Sequence, residues 1–424
     1  SILIEGIDKI TKILQSREGK KLRSVDVLDI CNIIGSIVVA GNVRRSAQVA
    51  LGDSDDYLYL RAKDWHSGTI PNWRAFSNNS IYADSYEYLS SDFWKTYEQT
   101  GEPLGLFNLE LAQQQGRLGE YIDDSNAEGS NPCMEVTLES KEACNLSEIA
   151  LNNVESLEQM KDIARLLYKT QKACAGMYYH LEETQKITRK NMRLGMSVTG
   201  ITQSLDKLKW LDPVYNDLRA YDKEWSKGRG WFESIKLTSI KPSGTVSLLT
   251  GSTPGIHPAY AEYYIRRVRI ASDHPVVRYA TSHGYPIEFV RRFDGTEDFT
   301  TSIIEFPCKV ENALYADDMT AIQQLELVKQ IQTLWADNSI SVTVYYSDQD
   351  LEQIKAWLQE NYSTSIKAVS FLRKNDHGFD QAPYEQITVE EYEKRVDNLL
   401  PLMVFNDFID LDDENCQMGV CPIR

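Results

Sequence analysis

The sequence predicts an α/β fold built on parallel strand pairing, in a barrel or a doubly wound sheet. Long segments of helical periodicity alternate with short β-branched runs. Connections of that length favour parallel neighbours, because antiparallel hairpins need only a few residues. The 424 residues also exceed the usual single core, so one large α/β domain or two domains are expected.

Helical periodicity is strong in 2–15, in 157–190 ("LEQMKDIARLLYKTQKACAGMYYHLEETQKITRK") and in 321–336 ("AIQQLELVKQIQTLWA"). Between them lie β-like runs at 36–43 ("SIVVAGNV"), 196–201 ("MSVTGI"), 239–249 ("SIKPSGTVSLL"), 301–306 ("TSIIEF") and 339–346 ("SISVTVYY"). No internal repeat or low-complexity tract interrupts the order. From about residue 390 the chain turns acidic and ends in "DLDDENCQMGVCPIR", which has no core-forming period and reads as a mobile tail. At the other end Ser1 leads straight into a periodic helix, which reads as a cut through a domain.

The net charge of −17 argues against a duplex-binding surface, since phosphate backbones need a basic footprint. It leaves room for a local basic pocket that takes a phosphorylated small molecule. No apolar run approaches a membrane span and no signal peptide is present. Seven cysteines, odd in number and thinly spread, do not make a secreted disulfide scaffold. A reducing cytoplasm is expected, where clustered cysteines are catalytic or metal-binding more often than structural.

Two cysteines fall in one short stretch, "NPCMEVTLESKEACNLSE" (131–148). Pro132 restricts Asn131 to extended geometry and predicts a tight loop with Cys133 on display; a buried, inert cysteine is the alternative. Glu135 lies two residues on, so in an extended loop it points to the same side. A carboxylate there raises the thiol pKa, which suits a thiolate nucleophile poorly, and no Cys–His pattern accompanies the pair. A neutral thiol or thiyl radical, with Glu135 handling a substrate proton, makes better chemical sense. Cys144 has neither zinc-type nor CxxC spacing to Cys133. Two cysteines on this loop can donate hydrogen and electrons at one site. Cys416 and Cys421 form a second pair that can close a small disulfide on a flexible tail; half a zinc site or two unimportant thiols are the alternatives. Cys31, Cys174 and Cys308, each alone in an apolar context, are expected to pack in the core.

In "KPSGTVSLL", Ser243, Gly244 and Thr245 sit at a strand-to-helix turn, flanked by Pro242 and Val246. Backbone N–H groups and small hydroxyls there can cradle an anion, although such turns are common as plain structure. Arg44 and Arg45 are expected to be structural ion-pair anchors, and His257 and His274 to be hydrogen-bonded structural histidines.

Together these residues resemble the catalytic subunit of ribonucleotide reductase, most closely its monomeric adenosylcobalamin-dependent (class II) branch. "IVVAGNVRRSAQVALGD", "EPLGLFNLELA", "NPCMEVTL…EACNLSE", "RLGMSVTGI", "IKPSGTVSLLTGSTPGIHPAYAEYYIRRVRI", "WADNSISVTVYY" and "QAPYEQIT" occur in the family's order. The likeness covers essentially the whole chain, but only the C-terminal portion of the family protein. It implies the C-terminal part of a ten-stranded α/β barrel, residues 1–389, with a central finger loop at 129–137, followed by a C-terminal segment, 390–424, carrying the redox tail.

The resemblance also implies roles. Cys133 would carry the thiyl radical that removes the ribose 3′ hydrogen, Glu135 would take the 3′-hydroxyl proton, and Asn131 would hold that hydroxyl. Cys144 would be one of two cysteines that reduce the 2′ position and become a disulfide. Cys416 and Cys421 would reduce it and be reduced in turn by thioredoxin. Pro242, Ser243, Gly244, Thr245 and Val246 would form the substrate-phosphate loop, with a ribonucleoside triphosphate as substrate and adenosylcobalamin as cofactor.

The sequence departs from the family pattern in several places. Met134 stands where the family commonly has Gly, no DxHxxG motif is present, and the expected cysteine partner of Cys144 and the early strands are absent. This polypeptide alone is therefore expected to be inactive, and to need an N-terminal half. Ser1 is compatible with a fragment, a split gene or an intein junction. Two other readings remain: a class I-type subunit fed by a metal-radical partner, and a non-catalytic remnant that binds nucleotide or assembles with a complete reductase.

Overall fold

A computed structural model describes residues 2–39, 46–64, 70–100, 104–291, 295–374 and 381–402. Its strands, in chain order, are β1 (Gln48–Asp53), β2 (Ser77–Tyr82), β3 (Gly105–Phe107), β4 (Ala127–Ser130), β5 (Thr137–Glu139), β6 (Leu146–Ala150), β7 (Gly195–Thr199), β8 (Tyr263–Ala271), β9 (Ile287–Arg291), β10 (Glu297–Lys309), β11 (Thr343–Tyr346), β12 (Ala368–Arg373) and β13 (Tyr384–Gln386).

The main ladder is longer than its named strands. β6 pairs with β7 in parallel. Met196 of β7 bridges Thr238, and Ile240 bridges Ile340, both in parallel. The chain runs on from Ile340 into β11, which pairs in parallel with β12. β12 then meets β3 antiparallel, with Ala368 opposite Phe107, and β3, β2 and β1 follow in parallel. The result is two parallel halves joined at one antiparallel seam. Among the described residues neither β1 nor β6 has a partner on its outer side. Helices make the parallel crossovers: Leu157–Ala175 and Glu182–Asn191 between β6 and β7, Leu211–Arg229 before 238, Ala321–Leu334 before 340, and Leu351–Ser365 before β12. Parallel neighbours demand such connections.

One contiguous core lies between the ladder and these helices, including Val198, Leu218, Ile331, Val344 and Leu358. Trp335 is fully buried at its centre. Its indole N–H reaches the carbonyls of Met196 and Ser239, both at 3.2 Å, as a buried indole requires. No helix of the described residues is long and apolar enough to cross a membrane.

Several expectations need correction. Residues 36–38 end the helix Ser24–Val38 instead of starting a strand. Val25, Leu28 and Ile33 on that helix are buried, so the apolar run belongs to a helical face; 40–43 lie outside the described residues. The expected helix 157–190 is two helices, separated at Gly176, which caps the first. In 239–249 only an isolated bridge forms before Pro242, and Thr245–Leu249 is a short helix. "TSIIEF" belongs to a 13-residue strand, in a four-stranded antiparallel sheet ordered β13-β8-β10-β9 that periodicity did not foretell. The acidic segment from 390 begins with a helix, Val389–Val396, held by Arg395 on Glu305 at 3.0 Å. Cys31 is exposed, and Cys174 and Cys308 are only half-buried, so none of the three is a core cysteine.

Candidate active site

β4 and β5 form an antiparallel hairpin whose tip is 131–136. Asn131 closes it. Its N–H donates to the Val136 carbonyl at 3.1 Å, its carbonyl accepts from Met134 N–H at 2.9 Å, and its Oδ1 accepts from Val136 N–H at 3.0 Å. The tip is tied to both halves of the ladder. Asn78 of β2 donates to the Pro132 carbonyl at 3.0 Å, and Ser339 N–H donates to the Glu135 carbonyl at 3.0 Å. Cys133 is thereby held between the two halves.

Met134 explains how a bulky residue replaces Gly there. Its φ is 62°, left-handed backbone that costs a non-glycine residue about 1–3 kcal/mol. The side chain is buried against Phe107 and Ala368 at the antiparallel seam, and burying a methionine contributes roughly 1.5–3 kcal/mol. Gly105 leaves the room: a Cβ there would lie 3.0 Å from the Met134 methyl. The left-handed residue also breaks the extended alternation expected to align Cys133 with Glu135.

Electrostatics nevertheless couple the group. Glu135 is 2% exposed, and its Oε2 has no hydrogen-bond partner among the described residues. Burial raises its pKa against the pull of the Asn131 side chain and Lys241. Cys133 and Cys144 both keep solvent access although protein surrounds most of each thiol. Burial, then Glu135, push Cys133 up to about 11, with Lys241 opposing. Burial, Glu135, Cys133 and Glu142 push Cys144 up to about 12, with Arg193 opposing. Both are neutral thiols near pH 7. Alkylation of Cys133 by iodoacetamide is expected to keep rising with pH towards about 11, with only about a thousandth of the thiol ionised at pH 8. Peptide-resolved labelling checks this.

The hairpin stands on buried charge. Arg193 grips Asp124 through two bonds of 2.7 Å, Glu142 at 3.0 Å and Thr137 of β5 at 3.2 Å. Lys236 adds a 2.8 Å contact to Asp124. Burial alone would raise the Asp124 carboxyl, yet Arg193 and Lys236 hold it at about 2. Asp124 precedes β4 and Glu142 follows β5, so this cluster fixes both legs of the hairpin and the approach to Cys144.

At the 242–246 turn, Ser243 is buried with its Oγ unpartnered among the described residues. Gly244 faces open space, Val246 is exposed, and Thr245 begins the short helix. The buried hydroxyls of Ser239 and Ser339 are likewise unpartnered. Buried polar atoms without partners are rare and call for a ligand or water. A cavity of about 340 Å³ opens on Cys133, Pro132 and Met134. A larger one, about 1050 Å³, runs past Gly244 to Tyr260, Tyr345 and Tyr384. Both touch Pro242, Thr343 and Leu372, so they adjoin.

Behind the turn, Gly255 (φ 56°) is pressed against the Lys241 carbonyl. Gly255→Ala is expected to cost about 1–3 kcal/mol from the left-handed backbone, with the clash in addition; urea denaturation measures it.

The two histidines have structural bonds. His257 Nδ1–H donates to the Pro254 carbonyl at 3.0 Å, and Nε2 accepts from Thr343 N–H at 2.9 Å. His274 caps a helix by accepting from Val276 N–H at 3.2 Å. Cys416, Cys421, Arg44 and Arg45 lie outside the described residues. Residues that motif reading passed over are Arg193, Glu148, Lys241, Ser239 and Ser339. Each lies inside or beside a quoted motif, and that adjacency was the available signal.

A hairpin carrying a cysteine between the antiparallel halves of an α/β ladder defines a class, and the comparisons agree: the chain belongs to the ribonucleotide reductase family. Residues 85–224 and 222–372 match the ribonucleotide reductase barrel domain. Among curated relatives, the adenosylcobalamin-dependent ribonucleoside-triphosphate reductase of Lactobacillus delbrueckii subsp. bulgaricus is 32% identical over 100% of this chain and 63% of its own length. That of Euglena gracilis is 36% identical over 93% of this chain and 55% of its own. The chain thus spans less than two thirds of the length of these relatives. A crystal structure of a B12-dependent (class II) ribonucleotide reductase superposes with a TM-score of 0.76 at 29% identity, covering 95% of this chain and 60% of that one. The alpha subunit of the Actinobacillus ureae class Id reductase shares the fold alone, at TM-score 0.53 and 15% identity.

Proposed function

We propose that this chain is the catalytic part of an adenosylcobalamin-dependent ribonucleoside-triphosphate reductase. The observation that carries the reading is the cluster around the hairpin: Cys133 at its tip and Cys144 in the loop after β5, both held as neutral thiols, with the buried carboxyl group of Glu135 bearing on each. Hydrogen-atom transfer uses a thiol, not a thiolate, and a carboxylate with a free oxygen can accept a substrate proton.

On this reading the residues take the roles that the family resemblance implies. The Ser243–Thr245 turn takes the phosphates, with the unpartnered Ser243 hydroxyl and open Gly244 backbone turned to the anion. Cys133, as a thiyl radical, takes the 3′ hydrogen. Glu135 accepts the 3′-hydroxyl proton while Asn131 holds that oxygen. The C2′–O bond then breaks, and the oxygen leaves as water with a proton from Cys144. The second thiol gives a hydrogen atom to C2′ and joins Cys144 in a disulfide, the remaining electron passes to the 3′ carbonyl as Glu135 returns its proton to that oxygen, and Cys133 returns its hydrogen to C3′. Cys416 and Cys421 reduce that disulfide by exchange and are restored by thioredoxin or a similar dithiol, in a reducing cytoplasm.

The residues present fit the cofactor. The larger cavity has aromatic walls at Tyr260, Tyr345 and Tyr384 and adjoins the cavity at Cys133, so those residues would hold it. When bound, adenosylcobalamin supplies the radical that takes the hydrogen atom of the Cys133 thiol. The histidines of the motifs, His257 and His274, are engaged in backbone bonds, so neither would be offered to a bound cobalamin.

The second cysteine and two further strands would come from an N-terminal part. Strands added between the open edges of β1 and β6 would complete a ten-stranded barrel around the hairpin, which then acts as its finger loop. The test is deoxynucleotide formation by this chain joined to its upstream coding sequence, supplied with ribonucleoside triphosphate and dithiol. Product that requires adenosylcobalamin supports the reading; product formed equally without it, or none with it, refutes it.

A further inference from the structure

A single lysine beside the hairpin, Lys241, pairs with the carboxylate of Glu148 and bears on that of Glu135. Glu148 lies on β6, half-buried as a residue, with its side chain 8% exposed. Its Oε2 is 3.1 Å from Lys241 Nζ, and beyond that ionic contact neither carboxylate oxygen has a hydrogen-bond partner among the described residues. The contrast with the other buried carboxylates is sharp. Asp337 accepts from the N–H groups of Leu237 and Thr238, and Asp124 is bound twice by Arg193. A buried ion pair short of hydrogen bonds is a poor way to stabilise a fold, which points to a role outside stability.

Lys241 is held in place on all its backbone sides. Its N–H donates to Ser197 Oγ at 2.9 Å, Ser197 is the β7 partner of Glu148, and Gly255 presses on its carbonyl. Its side chain is 24% exposed, the next residue, Pro242, lines the cavity that opens on Cys133, and its charge opposes the rise in pKa of both Cys133 and Glu135. The groups that bear on the cluster are therefore Asn131, Cys133 and Glu135 from the hairpin tip, Cys144 with Glu142 from the loop after β5, Arg193 before β7, and Lys241 with Glu148 behind it.

We propose that Lys241 and Glu148 are a charge pair that tunes this cluster: Lys241 supplies positive charge beside Glu135 and Cys133, and Glu148, paired with it at 3.1 Å, draws off part of its influence. The pair sets how far Glu135 stays ionised, and hence ready to take a proton, inside a buried site. This rests on the reading of Cys133 and Glu135 as the reacting groups.

Because Lys241 and Glu148 carry opposite charge, removing one or the other acts in opposite directions on the cluster. The experiment is peptide-mapped iodoacetamide labelling of the full chain at pH 9, with exposed Cys31 in the same sample as the reference. Lys241→Met is expected to slow labelling of Cys133 and Glu148→Gln to speed it, each by about three- to tenfold. Lys241→Arg should stay near the parent rate, and Cys31 should not change. The near-isosteric Glu148→Gln and Lys241→Arg carry the test if the methionine variant does not fold. Shifts in the same direction, an unchanged Cys133, or a matching change at Cys31 would overturn the proposal. Labelling reads local charge without turnover, so a failure here is distinct from a failure of Cys133 to support catalysis.

Discussion

Cys133→Ser is expected to abolish deoxynucleotide formation, down to the uncatalysed background, while the protein stays folded. Serine fits the space, and the bonds that shape the tip come from elsewhere: Asn131 to Val136, Asn78 to the Pro132 carbonyl, and Ser339 to the Glu135 carbonyl. Only the S–H bond is lost. An O–H bond is much stronger, so a serine at this position cannot be oxidised to the species that removes a 3′ hydrogen. Circular dichroism and turnover of the joined protein together check the expectation. Turnover that survives would show that the hairpin displays Cys133 without using it.

The second large effect is on stability. Arg193→Met is expected to destabilise the fold by about 3–5 kcal/mol, because it strands Glu142 as an uncompensated buried charge and leaves Asp124 with Lys236 alone. That is a large part of a typical domain's stability of about 5–15 kcal/mol. Chemical denaturation measures it, and Arg193→Lys should recover only part, since an ammonium cannot reproduce the guanidinium fork. The cluster also has a pH signature. The Asp124 carboxyl sits at about 2 in the fold, below its ordinary 3.8. Its contribution is therefore present in full above the ordinary value and is lost as pH falls towards 2. In Arg193→Met that acid-side loss should shrink, because the folded carboxyl then titrates closer to its ordinary value.

How much of this could be read from the sequence depended on how local the determining physics was. β7 and the helix at 321–334 have clean periodicity and stand where expected. The Asn131–Cys133–Glu135 tip was legible because Pro132 restricts its own neighbour and the motif sits in ordered company. The helix at Ser24–Val38 was misread at its end because "SIVV" is β-branched, and only tertiary burial of Val25, Leu28 and Ile33 shows which period wins. The sheet of β8, β9, β10 and β13 depends on pairing between residues as far apart as Tyr264 and Gln386, which no window along the chain can see. Met134 could be noticed as a departure, but its accommodation depends on Gly105, a residue on another strand. Lys241 and Glu148 could be quoted without being joined, since β7 lies between them.

The most direct measurement is a thiol map after a single turnover. The intact polypeptide, carrying Cys416→Ser and Cys421→Ser so that the tail cannot reduce the site again, would be reduced, freed of external reductant, and given ribonucleoside triphosphate and adenosylcobalamin. Alkylation and peptide mapping would then find each cysteine as thiol or disulfide. The account predicts one deoxynucleotide per site, Cys144 in a disulfide and Cys133 still a thiol. Product formed with Cys144 still free, or with Cys133 itself in the disulfide, would contradict it.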